Sequence, residues 1–251
     1  MLGRMIRDWM RARLGAGPGA TPAGHTAADV LQGLLRVESR PPAAFDYEQV
    51  AYLLAAAGSA RYMTERMAGA RNLVQRAELL DFALAQCSLH GLVLEFGVYK
   101  GDSLQMISDR CAGSVHGFDT FEGLPEDWTH FQKKGRFSLE GRAPDVGRAN
   151  VVLHKGLFSD TLPEFLAAHS GPVRFAHIDS DLYSSAKAVL DLVEPRLVPG
   201  TVIVFDEYLN YPGWEQHEYR AFQEMVARAG RRYEYLGFAS AYGSVALRIT
   251  G

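Results

Sequence analysis

The sequence predicts an α/β protein: a doubly wound, mostly parallel seven-stranded sheet with a C-terminal antiparallel hairpin and an N-terminal helical extension. From Leu92 onward, short apolar segments typical of buried strands alternate with segments of helical periodicity. This alternation requires right-handed crossovers and therefore a parallel sheet. The last two apolar segments, YEYLGFAS and GSVALRIT, are separated by only a few residues, so they predict the hairpin.

Two regions precede the sheet. Residues 1–25 predict a basic amphipathic helix and a linker rich in Ala, Gly and Pro. Residues 26–89 show helical spacing over 26–38, 47–57 and 60–86, which indicates a helical region that covers a substrate or mediates oligomerisation, and residues 90–251 form the main domain. The basic helix is expected to pack on a partner subunit or on its own body, with a membrane-surface anchor or lid as the alternative. We therefore expect a homo-oligomer, a dimer or larger.

Composition excludes several classes of function. The chain of 251 residues has a formal net charge of −3 and a pI of about 6.2, so no basic field points to nucleic acid. Two cysteines are too few for a disulfide framework or a zinc site, and they suit a reducing compartment. No apolar stretch approaches the roughly 20 residues of a membrane span, and a signal peptide is not apparent. We expect a cytoplasmic protein with a small-molecule partner.

The most informative segment is VLEFGVYKGDS, residues 93–103, in which a strand runs through a glycine turn into a helix. Gly97 and Gly101 permit close approach of the backbone to a ligand, and the turn presents N–H groups at a helix N-terminus. A dinucleotide site would carry a third close glycine, and Glu95 would repel a pyrophosphate. S-adenosylmethionine, which has no phosphate and carries two cationic groups, fits better. An NAD-type oxidoreductase is the alternative.

The next two strands end in further candidate ligands. Asp119 ends the second strand and is expected to accept both ribose hydroxyls of an adenosine, with capping of the turn as the alternative. Gly156 and Phe158 follow the third strand and are expected to line an adenine slot, although Phe158 in the core is an equal alternative.

Three carboxylates follow the fourth and fifth strands, in the segments HIDSDLYSS and VIVFDEY. Asp179, Asp206 and Glu207 are expected to lie close together, and without a basic partner they would repel one another unless they share a hard cation such as Mg²⁺. Asp181 is expected to cap the following helix. His130, in a loop that is able to fold over a substrate, is a candidate base or a solvated histidine.

Taken together, the motifs VLEFGVYKGDS, GFDTFEGLP, HIDSD and FDE resemble the macrocin O-methyltransferase family, and more distantly the catechol and caffeoyl-coenzyme A O-methyltransferases, over about residues 90–225. The resemblance implies a class I methyltransferase fold, S-adenosylmethionine as methyl donor and commonly a divalent cation. It places three groups of residues: Glu95, Gly97, Tyr99, Gly101 and Ser103 at the methionine part of the cofactor, Asp119 at the ribose, and Asp179, Asp206 and Glu207 at the metal. Thr120 and Asp179 are further candidate cofactor-binding residues.

Two positions depart from the catechol-type pattern. Leu182 stands where those enzymes have a lysine base, and Glu207 stands where they have a neutral amide. The resemblance to the macrocin-type enzymes implies a histidine or an acid as the catalytic base, which makes His130 and Asp179 the candidates. We predict a metal-assisted O-methyltransferase of a small-molecule hydroxyl, on a natural-product sugar, a polyketide or a phenol. A metal-independent methyltransferase and a non-catalytic cofactor-binding protein are further alternatives. Residues 211–218 are expected to form a substrate wall, with Trp214 in the core as the alternative.

Overall fold

The computed structural model describes residues 47–129 and 132–251. The predicted basic helix, the linker, the helix over 26–38 and His130 lie outside these residues. The described chain contains six α-helices: α1 Tyr47–Arg66, α2 Arg76–Ala85, α3 Asp102–Asp109, α4 Phe158–Ala168, α5 Tyr183–Val193 and α6 Glu218–Ala229. Each of these helices is too short or too polar to cross a bilayer.

Eight strands within the same residues form one sheet: β1 Arg71–Asn72, β2 Leu92–Phe96, β3 Val115–Asp119, β4 Val151–Lys155, β5 Val173–Ile178, β6 Val202–Phe205, β7 Tyr233–Phe238 and β8 Val245–Ile249. Their order is β1-β7-β8-β6-β5-β2-β3-β4, and only the two pairings of β8 are antiparallel. Without the short β1, this is the seven-stranded arrangement that the sequence predicts, including the terminal hairpin. The class I methyltransferase fold is confirmed.

The region before β2 differs from its prediction. Helix α1 continues through Gly58 as one helix, and the predicted helix over 60–86 is interrupted by β1. The interruption occurs because the chain adds to the free edge of β7, where Arg71 pairs with Gly237 and the N–H of Leu73 donates to the Phe238 carbonyl at 3.0 Å. Pairing this edge satisfies backbone groups that a continuous helix would leave open.

The core has two layers, one on each face of the sheet. Alternate residues of β2 point to opposite faces, so Leu94 and Phe96 pack with α4, α5 and α6, whereas Val93 packs with α2 and α3. Leu94 and Phe96 are fully buried, and burial of a side chain of this size contributes about 1.5–3 kcal/mol. The carboxyl ends of the parallel strands therefore emerge between two rigid helical layers.

A group of tyrosines holds α1 against the sheet domain. The hydroxyl of Tyr62 in α1 lies 2.6 Å from that of Tyr235, which in turn lies 3.0 Å from the hydroxyl of Tyr208. Trp214 is buried and makes an edge contact with Tyr62 at 5.7 Å between ring centroids. Trp214 is thus a core residue, which agrees with the second of its two predicted interpretations.

Candidate active site

A cavity of about 440 Å³ opens at the carboxyl ends of β2, β3, β5 and β6, the edge at which parallel α/β sheets bind ligands. It brings most of the predicted site residues together. Among the described residues its lining comprises Arg76, the turn at 97–103, Asp119, Thr120, residues 123–125, Trp128, Phe137, residues 157–159, residues 179–181, Ser184, Ser185, Ala188, Asp206 and Glu207. Glu95 and Gly156 are not part of this described lining, and neither is any residue of α1.

The glycine turn is shaped by its protein neighbours. Gly97 has φ +92°, and a Cβ there would lie 1.8 Å from the carbonyl oxygen of Asp179. Gly101 has φ +87° and would meet Val146 at 3.1 Å. Only glycine adopts these conformations without strain. From the sequence, Gly97 is expected to make room for a ligand, but the backbone at the end of β5 already requires a glycine at this position.

Asp119 organises the same turn. Its Oδ2 accepts hydrogen bonds from the N–H groups of Val98 at 2.9 Å and Tyr99 at 2.8 Å, and its Oδ1 accepts one from Phe121 at 2.8 Å. Three bonds to one carboxylate make a rigid connection between β2 and β3. Carboxylate oxygens carry further lone pairs, so this structural role leaves capacity for a ligand in the cavity.

Aromatic side chains form much of the cavity wall. Tyr99, at φ +48°, contacts Phe137 edge to face with 5.7 Å between ring centroids. Phe158 both lines the cavity and packs on Phe96 at 5.6 Å, which combines its two predicted roles in one position. Trp128 also lines the wall. Sequence reasoning did not assign Phe137, because it comes from an irregular loop without periodicity.

Trp128 is supported from behind by the segment after β6. Its ring lies 5.4 Å from that of Tyr211 and 6.3 Å from that of His217. The segment expected to form a substrate wall therefore contributes through Trp128, since neither Tyr211 nor His217 belongs to the described lining of the cavity.

A cluster of carboxylates from the loops after β5 and β6 also lines the cavity. One oxygen from each of Asp179, Asp181 and Glu207 lies within 4.8 Å of the other two. Asp181 is buried at φ +60°, and Leu182, not Asp181, is the N-cap of α5, with no side-chain cap bond described there. The predicted capping role of Asp181 is therefore wrong, because its carboxylate turns inward. Oε2 of Glu207 is buried without a hydrogen-bond partner in the described structure.

Burial and mutual repulsion disfavour the ionised forms of these acids. Burial first, and then the charges of Asp206 and Asp181, raise the pKa of Asp179 well above its usual range. Burial followed by the neighbouring Asp206 and Asp179 charges does the same to the pKa of Glu207. The pKa of Asp181 rises to about 7, again mainly through burial and then through Asp206. The cluster therefore favours binding of protons or of another cation.

Glu218 fixes the backbone around the cluster. Its Oε1 accepts from the N–H of Ser180 at 2.9 Å and its Oε2 from the N–H of Glu207 at 3.1 Å. This fully buried carboxylate thus ties together the loops that follow β5 and β6. The sequence pattern does not identify Glu218 as a site residue, because an acidic residue in the first turn of a helix, here α6, is common.

Asp206, one of the three predicted metal ligands, has a basic partner. Nη1 of Arg76 lies 2.5 Å from Asp206 Oδ2 and 3.8 Å from Asp179 Oδ2, and Ser244 Oγ donates to Asp206 Oδ1 at 2.9 Å. A basic partner, one of the two ways in which the sequence allows these acids to be balanced, is therefore present for Asp206. The pair was invisible to local patterns because Arg76 precedes Asp206 by 130 residues.

Glu95 lies beneath the cavity. It is directly opposite His177 in the pairing of β2 with β5, and its Oε1 lies 2.7 Å from His177 Nδ1, with both side chains fully buried. His177 Nε2 is 4.0 Å from Asp206 Oδ1. Glu95 therefore approaches the site through His177 and Asp206.

Comparison with known proteins agrees with this arrangement. Residues 94–208 match a family described as a methyltransferase domain. Over 167 residues the chain is 29% identical to the 8-demethyl-8-(2,3-dimethoxy-α-L-rhamnosyl)-tetracenomycin-C 4′-O-methyltransferase of Streptomyces olivaceus, an alignment that covers 57% of this chain. It spans 62% of that relative's length. The resemblance to O-methyltransferases that the motifs indicate is thus confirmed.

Two solved structures share the fold. The calicheamicin methyltransferase CalS11 superimposes with a TM-score of 0.55 at 20% identity, over 93% of this chain and 98% of that one. The O-methyltransferase NovP superimposes with a TM-score of 0.52 at 19% identity, over 82% of this chain and 98% of that one. At these identities the likeness establishes the fold.

Proposed function

We propose, from its methyltransferase domain, that this chain is an S-adenosylmethionine-dependent O-methyltransferase that acts on a hydroxyl group of a small molecule. One observation carries the proposal: a single cavity is lined both by the glycine turn with Asp119 and by the carboxylates of Asp179, Asp181 and Glu207. The glycine turn and Asp119 suit an adenosine with a cationic amino-acid tail. The carboxylate cluster suits the place where a hydroxyl loses its proton.

The cofactor would lie along the glycine turn. Asp119, with Thr120 beside it, would accept the ribose hydroxyls, and Phe158 would contact the adenine. The turn carrying Tyr99 and Ser103 would hold the methionine part. The carboxylates in the wall outnumber the two basic residues, Arg76 and Lys100, which favours a cationic sulfonium over a phosphorylated ligand. Because Glu95 and Gly156 lie outside the described lining, they would support the site without touching the cofactor.

The acceptor is proposed to be a hydroxyl of a sugar on a natural product. The curated relative carries a name that specifies a rhamnosyl 4′-O-methylation, which supports this class. Flat aromatic faces at Trp128, Tyr99 and Phe137 suit an apolar ring face, and the acids of the same cavity suit its hydroxyl groups. Asp179 belongs to the carboxylate cluster and is the proposed base, with His130 as the second candidate. Bringing the hydroxyl in line with the methyl group would supply much of the acceleration.

The residues present fit a divalent cation. Asp179, Asp181 and Glu207 offer converging oxygen ligands, and the unpartnered Oε2 of Glu207 is a donor that a cation would satisfy. Asp206, also expected to be a ligand, belongs to a second candidate group with His177 and Asp179, and its carboxylate is engaged by Arg76 and Ser244. When bound, a cation of this kind supplies electrostatic stabilisation of a developing alkoxide. Independently of it, Glu218 holds the two loops that carry the acids.

The proposal is tested with the purified full-length chain. Calorimetry should show binding of S-adenosylhomocysteine, and a panel of rhamnosylated aromatic polyketides should gain one methyl group from S-adenosylmethionine, detected by mass spectrometry. Asp160→Asn, an exposed residue outside the described cavity lining, serves as the control variant. Binding of a nicotinamide dinucleotide instead of S-adenosylhomocysteine would identify an oxidoreductase. Cofactor binding without methyl transfer to any sugar, phenol or polyketide hydroxyl would identify a non-catalytic protein.

A further inference from the structure

Arg76 is the first residue of α2, and its guanidinium contacts the acids at the carboxyl ends of β5 and β6. Its Nη1 lies 2.5 Å from Asp206 Oδ2 and 3.8 Å from Asp179 Oδ2. The side chain of Asp206 is only 4% exposed, whereas that of Arg76 is 40% exposed. The arginine is therefore the accessible partner of this pair, and the carboxylate is the enclosed one.

Arg76 is also the local source of positive charge. Within residues 47–129 and 132–251, no other arginine or lysine makes an ion pair with Asp179, Asp206 or the remaining carboxylates of the cluster. Lys100, the other basic residue of the described wall, lies over the ring of Tyr99 at 5.2 Å. Burial opposes the charge of Arg76, but Asp206 and then Asp179 raise its pKa above the usual value. Arg76 is therefore a permanent cation at this site.

We propose that Arg76 competes with a divalent cation for Asp206 and thereby sets the metal affinity of the carboxylate cluster. The inference rests on the metal site of the proposed function. Without the ion, Arg76 balances the charge of Asp206 and Asp179. A cation bound near Asp179 is repelled by the guanidinium and finds both oxygens of Asp206 already engaged. A guanidinium has no lone pair with which to bind a metal. Arg76 therefore acts on the cation only through Asp206 and through charge repulsion, as a positioning residue.

The fold allows this side chain to be changed. Helix α2 is held on the sheet by Leu79, Leu80 and Ala83, all of which are buried, and not by its first residue. A substitution at Arg76 should therefore leave α2 in place. Arg110 provides a matched control, because it pairs with Asp81 at 3.1 Å and is outside the described lining of the cavity.

The test measures Mn²⁺ binding by calorimetry with the full-length chain and no acceptor, alongside binding of S-adenosylhomocysteine. Arg76→Gln should bind Mn²⁺ about tenfold more tightly than the wild type, because a charge within 4 Å of the ligands is removed. Arg76→Lys keeps the charge and should stay within about threefold of the wild type, as should Arg110→Gln. In an Asp206→Asn background, Arg76→Gln should have a smaller effect, because only the repulsion between the guanidinium and a cation near Asp179 remains to be relieved.

Unchanged or weaker Mn²⁺ binding by Arg76→Gln would overturn the inference. Absence of Mn²⁺ binding from every variant would overturn it as well, and binding of S-adenosylhomocysteine in the same samples would then show that the cofactor site of the proposed function still stands. Loss of both ligands would count against the proposed function itself. Circular dichroism establishes whether each variant is folded. If Arg76→Gln does not fold, Arg76→Met, which retains an aliphatic stem, takes its place.

Discussion

Glu95 and His177 form a buried pair in the middle of the sheet, with 2.7 Å between Oε1 and Nδ1 and no exposure of either side chain. The pair lies on the same face as Asp206, whose Oδ1 is 4.0 Å from His177 Nε2. A polar row thus runs from Arg76 and Asp206 in the cavity wall through the buried His177 to Glu95. Glu95, expected at the cofactor, is the far end of this row.

Removal of one partner of the Glu95–His177 pair should affect stability more than cofactor binding. Glu95→Ala leaves a buried imidazole nitrogen without its hydrogen-bond partner, and an unsatisfied buried polar group costs about 1–3 kcal/mol. Urea unfolding measures this loss. In the folded variant, affinity for S-adenosylhomocysteine should change less than about threefold, because Glu95 does not belong to the described cavity lining. A large affinity loss at unchanged stability would restore Glu95 as a direct ligand.

In contrast to Glu95, Asp119 is expected to have a large effect on cofactor binding. Asp119→Ala removes the proposed ribose acceptor and the three backbone hydrogen bonds that hold the turn, so affinity for S-adenosylhomocysteine should fall by about 1.5–3 kcal/mol. Calorimetry at one pH, with Asp160→Asn as the comparison, measures the effect. Wild-type affinity in Asp119→Ala would remove this residue from the cofactor site.

Gly97 should be sensitive to a single methyl group. Gly97→Ala places a Cβ 1.8 Å from the Asp179 carbonyl oxygen, in addition to the strain of a positive φ. Gly135 supplies the control, because it has a similar φ of +81° with no described atom within 4 Å of the added Cβ. Gly135→Ala should cost about 1–2 kcal/mol of unfolding free energy, and Gly97→Ala clearly more. If both variants lost the same free energy of unfolding, the backbone near Asp179 would be able to move away from the added Cβ at no cost.

His116 should make the protein sensitive to mild acid. Burial, and then the neighbouring His154 and His169, lower the pKa of His116 to about 4 from its ordinary value of 6.5. Between pH 6.5 and pH 4 the unfolded chain binds a proton at His116 and the folded protein does not. The free energy of unfolding therefore keeps its full value above pH 6.5 and decreases as the pH falls toward 4. The contribution should fall by about 2 kcal/mol between pH 7.5 and pH 5.

Urea unfolding of His116→Phe at both pH values isolates this term, because the substitution keeps an aromatic ring beside Phe165 but removes the titrating group. The wild type should lose about 2 kcal/mol more than the variant over this interval. The exposed His90 serves as the control position, and His90→Gln should follow the wild type. Identical pH dependence of wild type and His116→Phe would refute the assignment.

Chelation should suppress methyl transfer if the carboxylate cluster holds a cation. EDTA is expected to abolish most of the activity and added Mg²⁺ to restore it. Asp181→Asn should reduce kcat by about tenfold or more, with less than about a threefold change in affinity for S-adenosylhomocysteine, because the cluster that Asp181 shares with Asp179 and Glu207 is proposed to act on the acceptor hydroxyl. Full activity after exhaustive chelation would establish the metal-independent alternative and leave Asp179 or His130 as an unaided base.

Local patterns were sufficient for the parallel sheet, the terminal hairpin, the glycine turn and the acids at the strand ends. Each of these depends on spacing within a short segment: apolar residues with a period of two or 3.6, or a ligand-type residue directly after a strand. Because parallel strands end at one edge of a sheet, Asp119, Asp179 and Glu207 could be placed around one cavity without any knowledge of their contacts.

Partners were decided only by the tertiary structure. Arg76 meets Asp206 across 130 residues, and Glu95 meets His177 across 82. Register between distant strands and the docking of a helix on a sheet determine these contacts, and no local period encodes either of them. The same applies to Asp181, whose left-handed backbone turns its carboxylate into the cluster, where burial beside other acids raises its pKa to about 7. Local chemistry therefore predicted which residue types line the cavity, while long-range packing determined which charges are paired.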